Sequence, residues 1–322
     1  MSTSEKLAQM VIAIALFYVV MGVILLVTQR LRSRAGERVQ TAAFLAPSVL
    51  LVGVGLLYPA IVTFWQSLHG AATFNPPFVG LDNYKELFTN PQEVTVLRNT
   101  LLWVLITPIF STGIGLVYAV LVDRARFEKF GKALLFLPIA ISMVAASIIW
   151  KFMYDYKAGD QTQIGLLNQI LVWLHLDTFN FLLVSPWNTL FLIVILVWIQ
   201  AGFAMTLLSA SIKAIPDDIV EAARLDGVGG WKMFRYITVP SIRPSLIVVL
   251  TAITIATLKV FDIVQTATGG NFDTSVLAYE FYRQNFVAGN QGLATTIAVV
   301  IFILVIPVVV YNIRQVRKLE AR

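Results

Sequence analysis

The chain has 322 residues, of which 58% are hydrophobic and only 13% charged, and its mean hydropathy is +0.79. That leaves too little polar surface to cover a soluble globule of this size, so lipid is the expected solvent. The formal charge of +6 and a pI near 9.5 raise nucleic acid as a partner, which only the placement of the basic residues can decide, and the lack of cysteine removes disulfides, thiolate metal sites and cysteine nucleophiles together.

Apolar runs of roughly 20 residues, enough to cross a ~30 Å hydrocarbon core at ~1.5 Å per residue, occur seven times in chain order. They cover about 7–29, 42–65, 97–122, 133–153, 189–212, 245–265 and 291–312. The first is read as a span rather than a cleaved signal, because Arg30, Arg32, Arg34 and Arg38 follow it as a stop-transfer cluster. Each run is expected to be helical, since unpaired backbone groups are not tolerated in lipid and the runs are too long for barrel strands. The fold class is therefore all-α and polytopic.

The connectors test that reading independently, because Lys and Arg concentrate on the cytoplasmic side. The first connector is arginine-rich. The second, about 66–96, sets Lys85 against Asp82, Glu86 and Glu93, while the third packs Arg124, Arg126, Lys129 and Lys132 together. The fourth, 154–188, holds Lys157; the fifth carries Lys213, Arg224, Lys232, Arg235 and Arg243; the sixth has Arg283; and the tail ends with Arg314, Arg317, Lys318 and Arg322. Alternating connectors are thus basic, which predicts an outside amino terminus and a cytoplasmic carboxyl terminus. The pI is a topology signal, and nucleic acid loses its support.

The fifth connector, 213–240, is unlike an ordinary loop. Pro216, Asp217 and Asp218 form a helix start with carboxylates at the positive end of the dipole, and Glu221, Ala222, Ala223 and Leu225 continue it until Gly227 permits a left-handed exit. Trp231, Phe234 and Ile237 recur at three-residue spacing on a second helix expected to stop at Pro240. Small alanines before a glycine elbow, with Glu221 and Asp226 projecting charge, suit a knob that another protein grips. An amphipathic hairpin on the lipid surface is the competing reading.

The string Glu221-Ala222-Ala223, followed by Asp226-Gly227, Ile237 and Pro240, resembles the EAA motif of permease subunits of binding-protein-dependent ABC importers, although Val228 and Val239 replace that family's usual alanine and leucine. Phe78-Val-Gly-Leu-Asp-Asn-Tyr84, Lys259-Val-Phe-Asp-Ile263 and Thr268-Gly-Gly270 narrow the resemblance to MalF-type sugar permeases, with disaccharide and α-glucoside permeases as the nearest comparison. The resemblance implies a six-span permease domain over 41–322, preceded by an additional helix and connector over 1–40. It also implies coupling of the knob to an ATPase, and a heteromeric assembly with a second permease subunit, two ATPase subunits and an extracytoplasmic solute-binding protein. ATP and Mg would sit on the ATPase, with no cofactor bound by this chain.

For the solute, the fifth span offers Trp198, Gln200 and Phe203: aromatic faces for a sugar's CH patches and an amide for its hydroxyls. The competing reading has the two aromatics packing on neighbouring helices. The resemblance places solute contacts of this span near Leu196, Ile199, Gln200 and Phe203, and those of the sixth near Ala252, Ile255, Ala256 and Lys259. Lys259 and Asp262, three residues apart, are expected on one helical face, either lining the pathway near its outer mouth or paired at the interface. Lys151 and Asp155 read as interfacial anchors, and Gly113 and Gly115 as packing residues.

Other chemistries find little to stand on. No Gly-x-x-x-x-Gly-Lys-[Ser/Thr] string occurs, so nucleotide hydrolysis belongs to another polypeptide and the chain is not itself an enzyme. His69 and His175 share no spacing with a carboxylate cluster, which argues against metal or acid–base catalysis. An ion-gradient-driven secondary transporter is the alternative; it predicts internal repeats and interrupted helices around buried carboxylates.

Overall fold

The computed structural model describes residues 34–71, 76–122, 128–159 and 161–320, and further upstream residues 10–12, 15, 18–20, 22 and 23. The expected first span, 7–29, and the basic residues Arg30, Arg32, Arg124 and Arg126 therefore lie largely or wholly outside the described residues. Two compact units divide the chain, Met1–Trp65 and Gln66–Arg322.

In the first unit, helix α1 (Arg34–Val52) passes through a π turn, Gly53–Leu57, into α2 (Tyr58–Ser67). Phe44–Ser67 is long and apolar enough to cross a bilayer. Its large side chains, among them Val49, Leu51, Val54, Leu56 and Ile61, are exposed. That is the surface a helix presents to lipid or to another subunit, not to water.

The second unit is ordered around two long helices, α4 (Pro91–Val122) and α8 (Trp187–Lys213). Between α2 and α4 lies α3 (Asp82–Thr89); between α4 and α8 lie α5 (Glu128–Phe136), α6 (Met143–Met153) and α7 (Leu166–Trp173). Helix α4 is sorted by face. Trp103, Thr107, Ser111, Gly115 and Ala119, at four-residue spacing, are buried, while Leu101, Leu105, Ile109 and Val117 are exposed. Small and hydroxyl-bearing residues thus face protein and branched residues face lipid, as helices pack when lipid supplies no hydrophobic drive between them. Gly115 shows how close the approach to α8 is: a Cβ there would lie 2.6 Å from the Ala204 Cβ and 2.7 Å from the Met205 nitrogen. Gly113 has open space around it and no such role.

After α8 come α9 (Asp217–Leu225), α10 (Gly230–Met233), a π turn (Phe234–Thr238), α11 (Val239–Ser241) and α12 (Arg243–Leu258), then α13 (Asp262–Ala267), α14 (Leu277–Tyr282) and α15 (Gln291–Glu320). One core gathers Trp103, Tyr154, Phe181, Leu192, Leu196 and Ile263; a second gathers Ala119, Met205, Leu208, Ile242 and Val249; a third packs Leu87 and Val96 on Leu277, Leu293 and Ile297.

Two expected spans are broken rather than straight. The stretch read as 133–153 bends by 106° between Glu128–Ala140 and Met143–Met153, where Pro138 sits in a 3₁₀ turn and the Ser142 side chain accepts the Ala145 N–H at 3.2 Å to start α6. The stretch read as 245–265 ends as a helix at Leu258, and a 69° bend separates Gly230–Ser241 from Arg243–Leu258. Interrupted helices are therefore present, so their expected absence does not argue against a secondary transporter. The second helix of the fifth connector ends at Ser241, one residue past Pro240.

Candidate coupling helix and solute pathway

The coupling segment is built as its sequence dictates. Pro216 holds an extended φ/ψ of −56°, 135° before α9, Asp217 and Asp218 occupy the first turn, and Asp218 accepts the Ile219 N–H at 2.9 Å. The helix closes through Asp226 N–H to the Ala222 carbonyl and Val228 N–H to the Ala223 carbonyl, both at 3.0 Å. Gly227 supplies the left-handed residue between them, with φ +72°. Ala223 faces inward, 7% exposed, whereas Glu221, Ala222, Asp226 and Gly227 are exposed and Leu225 is 89% exposed. Leu225 thus stands bare at the end of the helix, between Arg224 and Asp226. Behind the knob, Glu128 of α5 ion-pairs Lys132 at 2.8 Å and also Lys213 at the end of α8, and Ser211 and Ser245 share a 2.7 Å hydrogen bond between α8 and α12. These short polar links tie α5, α8 and α12 together next to the end of α8 from which the segment leads into α9.

The expected solute residues are not gathered in one place. Trp198 is partly buried and meets Trp150 edge-to-face at 5.8 Å, against the core that contains Tyr154. Phe203 packs on the second core beside Met205 and Leu208. Leu196 and Ile199 are buried, at 1% and 7% exposure. Gln200 is half-buried and makes no hydrogen bond among the described residues, so its amide is the group of this span left to meet a solute or a second subunit.

Lys259 and Asp262 do not share a helical face. Lys259 is the C-cap of α12, with φ −103° and ψ 11°, and Asp262 opens α13. No ion pair joins them. The cation sits at the negative end of one helix dipole and the carboxylate at the positive end of the next, so each is stabilised by the break that separates them. Lys259 is exposed and Phe261, inside the break, stacks on Tyr279 at 6.0 Å. Lys151 reaches the Thr266 carbonyl at 3.3 Å, and Asp155 pairs with Lys157 at 3.5 Å instead of with Lys151.

One polar cluster has no counterpart in the sequence reading. Glu280, 1% exposed, receives Arg283 through Nε at 2.9 Å and Nη2 at 2.6 Å, Gln284 Nε2 at 2.7 Å and Ser275 Oγ at 3.2 Å. Glu93, 2% exposed, lies against the same Gln284 at 3.4 Å, and its Oε2 has no partner. At ~1.5 Å per residue α4 is about 48 Å long against a ~30 Å hydrocarbon core, so its first turns, Glu93 included, stand outside the span that begins near 97. Burial, then the neighbouring Glu280 carboxylate, raises the Glu93 pKa from 4.5 to about 7 against the opposing pull of Arg283. Asparagines hold the adjoining turn: Asn99 donates to the carbonyls of Asp273 (2.5 Å) and Ser275 (3.0 Å), and Asn188 to that of Phe272 (2.6 Å). Phe272 and Asp273 are both left-handed, at φ 56° and 59°, a conformation that persists where the surroundings enforce it. The one sequence signal for this cluster is the rarity of charge and amide groups at helix ends in so apolar a chain.

The sequence profile of the binding-protein-dependent transport system inner membrane component family matches residues 95–317, which include the knob and both broken spans. The chain belongs to that family. Among curated relatives, the α-glucoside transport system permease protein AglF of Rhizobium meliloti is 44% identical over 283 residues, covering 88% of this chain and 84% of its own. The osmoprotective compounds uptake permease protein GgtC of Synechocystis is 42% identical, covering 86% of this chain and 99% of its own. The trehalose/maltose transport system permease protein MalF of Thermococcus litoralis is 34% identical, covering 81% and 88%. A bacterial ABC transporter that imports alginate has the same fold, with a TM-score of 0.74 at 23% identity, covering 89% of this chain and 99% of that one. This family component is thus an importer permease, and the secondary-transporter alternative is not favoured.

Proposed function

We propose that this permease admits a neutral, hydroxyl-rich solute of the α-glucoside or small-oligosaccharide class, and that ATP binding elsewhere drives it through the α9 knob. The observation that carries the reading is the exposed segment Glu221–Gly227, with a bare Leu225 at the end of α9 and a left-handed glycine exit, in the connector that follows α8. Support for the solute class comes from relatives named for α-glucosides, osmoprotective compounds and trehalose/maltose. Gln200 and Lys259 are the polar groups offered to the solute from α8 and the α12 break, with Asp262 beside that break.

In this reading the chain lies in the cytoplasmic membrane, amino terminus outside and carboxyl terminus inside, and works with a second permease subunit, two ATPase subunits and an extracytoplasmic binding protein. ATP and Mg are held by the ATPases, which do the chemistry. Closure of the ATPase pair moves the knob, and the spans exchange an inward for an outward opening. The experiment is ATP-driven uptake of maltose and of methyl α-glucoside in proteoliposomes containing the full assembly. Glu221→Lys is expected to abolish coupled uptake while leaving the chain inserted and the assembly's nucleotide binding intact; uptake at the normal rate would refute the coupling assignment.

A further inference from the structure

Between the first turns of α4 and the 269–283 segment lies a cavity of about 220 Å³ lined by Gln92, Glu93, Thr95, Asn271, Asp273 and Arg283, with the Tyr279 ring at its wall. We propose that it is an outer waystation for a single neutral pyranose ring, separate from the groups on α8 and α12. The inference rests on the reading of the chain as a sugar permease.

Charge selects the ligand class. Arg283 keeps part of its guanidinium exposed and would repel a cation; Asp273, Glu93 and Glu280 around it would repel an anion. A ligand carrying donor and acceptor on each hydroxyl meets both signs at once, and guanidinium, carboxylate and carboxamide side by side are the groups that bracket neighbouring hydroxyls. Gln92 and Asn271 add carboxamides to the wall that carries Asp273 and Arg283. Size sets what the cavity encloses: about 220 Å³ holds one ring, and any further rings of a longer ligand would lie outside it. Placement gives it a purpose. Both walls belong to outer connectors, and the left-handed turn carrying Asp273 is held by Asn99 of α4 and Asn188 of α8, so a ring seated there touches a loop fastened to the two central spans.

The test uses the full chain in nanodiscs, with the subunits that accompany it, and saturation-transfer NMR with methyl α-D-glucopyranoside as probe against empty nanodiscs. Asp273→Gly removes the carboxylate yet keeps the left-handed backbone. It is expected to reduce transfer to the ring protons roughly 3- to 10-fold, the effect of losing about one net hydrogen bond or more. Asp273→Asn, which retains an acceptor oxygen, should keep most of it, and a Gln200→Ala/Lys259→Ala double variant should leave this signal in place. No transfer to the wild-type chain, or transfer unchanged in Asp273→Gly, overturns the waystation. Transfer lost only in the Gln200/Lys259 variant overturns it too, while leaving the permease reading standing. Uptake that proceeds without ATP would sink the permease reading whatever these variants show.

Discussion

Replacing Glu93 by Gln should stabilise the protein, and only above a definite pH. The carboxyl is 2% exposed, its Oε2 has no partner, and burial together with Glu280 and Glu86 outweighs Arg283 to raise its pKa from 4.5 to about 7. Because the folded state holds the proton more tightly than the unfolded state, stability falls as pH rises between these two values and stays low above them. At ~1.4 kcal/mol per pH unit the full penalty on the ionised form is about 3 kcal/mol. Glutamine cannot ionise, so it carries no such penalty at any pH. Thermal unfolding of wild type and Glu93→Gln in detergent from pH 4 to 9 reads the difference. At pH 8 to 9 the variant should melt higher, on the order of 5–10 °C at ~2–4 °C per kcal/mol for a unit of this size. The gap should shrink as pH drops through 7 and vanish near 4.5. Parallel curves across the whole range, or a variant less stable at pH 8, would refute the account of this cluster.

Gly115→Leu should separate α4 from α8, because even a Cβ there lies 2.6–2.9 Å from Ala204, Met205 and Ala201 atoms; a loss of ~1–3 kcal/mol is expected in thermal unfolding. Gly227→Ala meets no atom within 4 Å, so its cost is conformational alone, ~1 kcal/mol, and the defect should appear in coupled uptake more than in folding. Asn168→Ala removes a side chain that bonds the Asp155 carbonyl at 2.8 Å, the Phe179 carbonyl at 3.1 Å and the Phe179 N–H at 2.8 Å; orphaning these groups should cost ~1–3 kcal/mol and expose the 155–179 loop to protease. Gln200→Ala and Lys259→Ala, tested singly, should raise the solute concentration needed for half-maximal uptake with assembly unchanged.

Legibility in the sequence followed the range of the interactions. Spans such as α8 and α15 were readable because lipid demands a continuous apolar run, and the knob because its proline start and glycine exit are local chemistry. The breaks were not readable: at Lys259–Asp262 hydropathy continues smoothly, and only the opposite dipole preferences of the two charges hinted that one helix ends there and another begins. For Trp198, stacking on a sugar and stacking on Trp150 call for the same side chain, so its type alone does not separate the two. Glu93 and Gln284 meet across 191 positions, and Asn99 reaches Asp273 across 174, distances at which no periodicity or motif carries information.

The central claim is that α9 transmits force from a nucleotide-hydrolysing partner, and the chain's lack of cysteine makes it directly testable. Leu225→Cys, at the 89% exposed tip of the knob, becomes the only thiol in the chain. A membrane-impermeant maleimide should label it in inside-out vesicles and not in intact cells, and a short thiol-to-amine crosslinker should join it to the ATPase subunit in a manner that changes with ATP. Labelling from the exterior, or crosslinking only to lipid-facing neighbours regardless of nucleotide, would contradict the account.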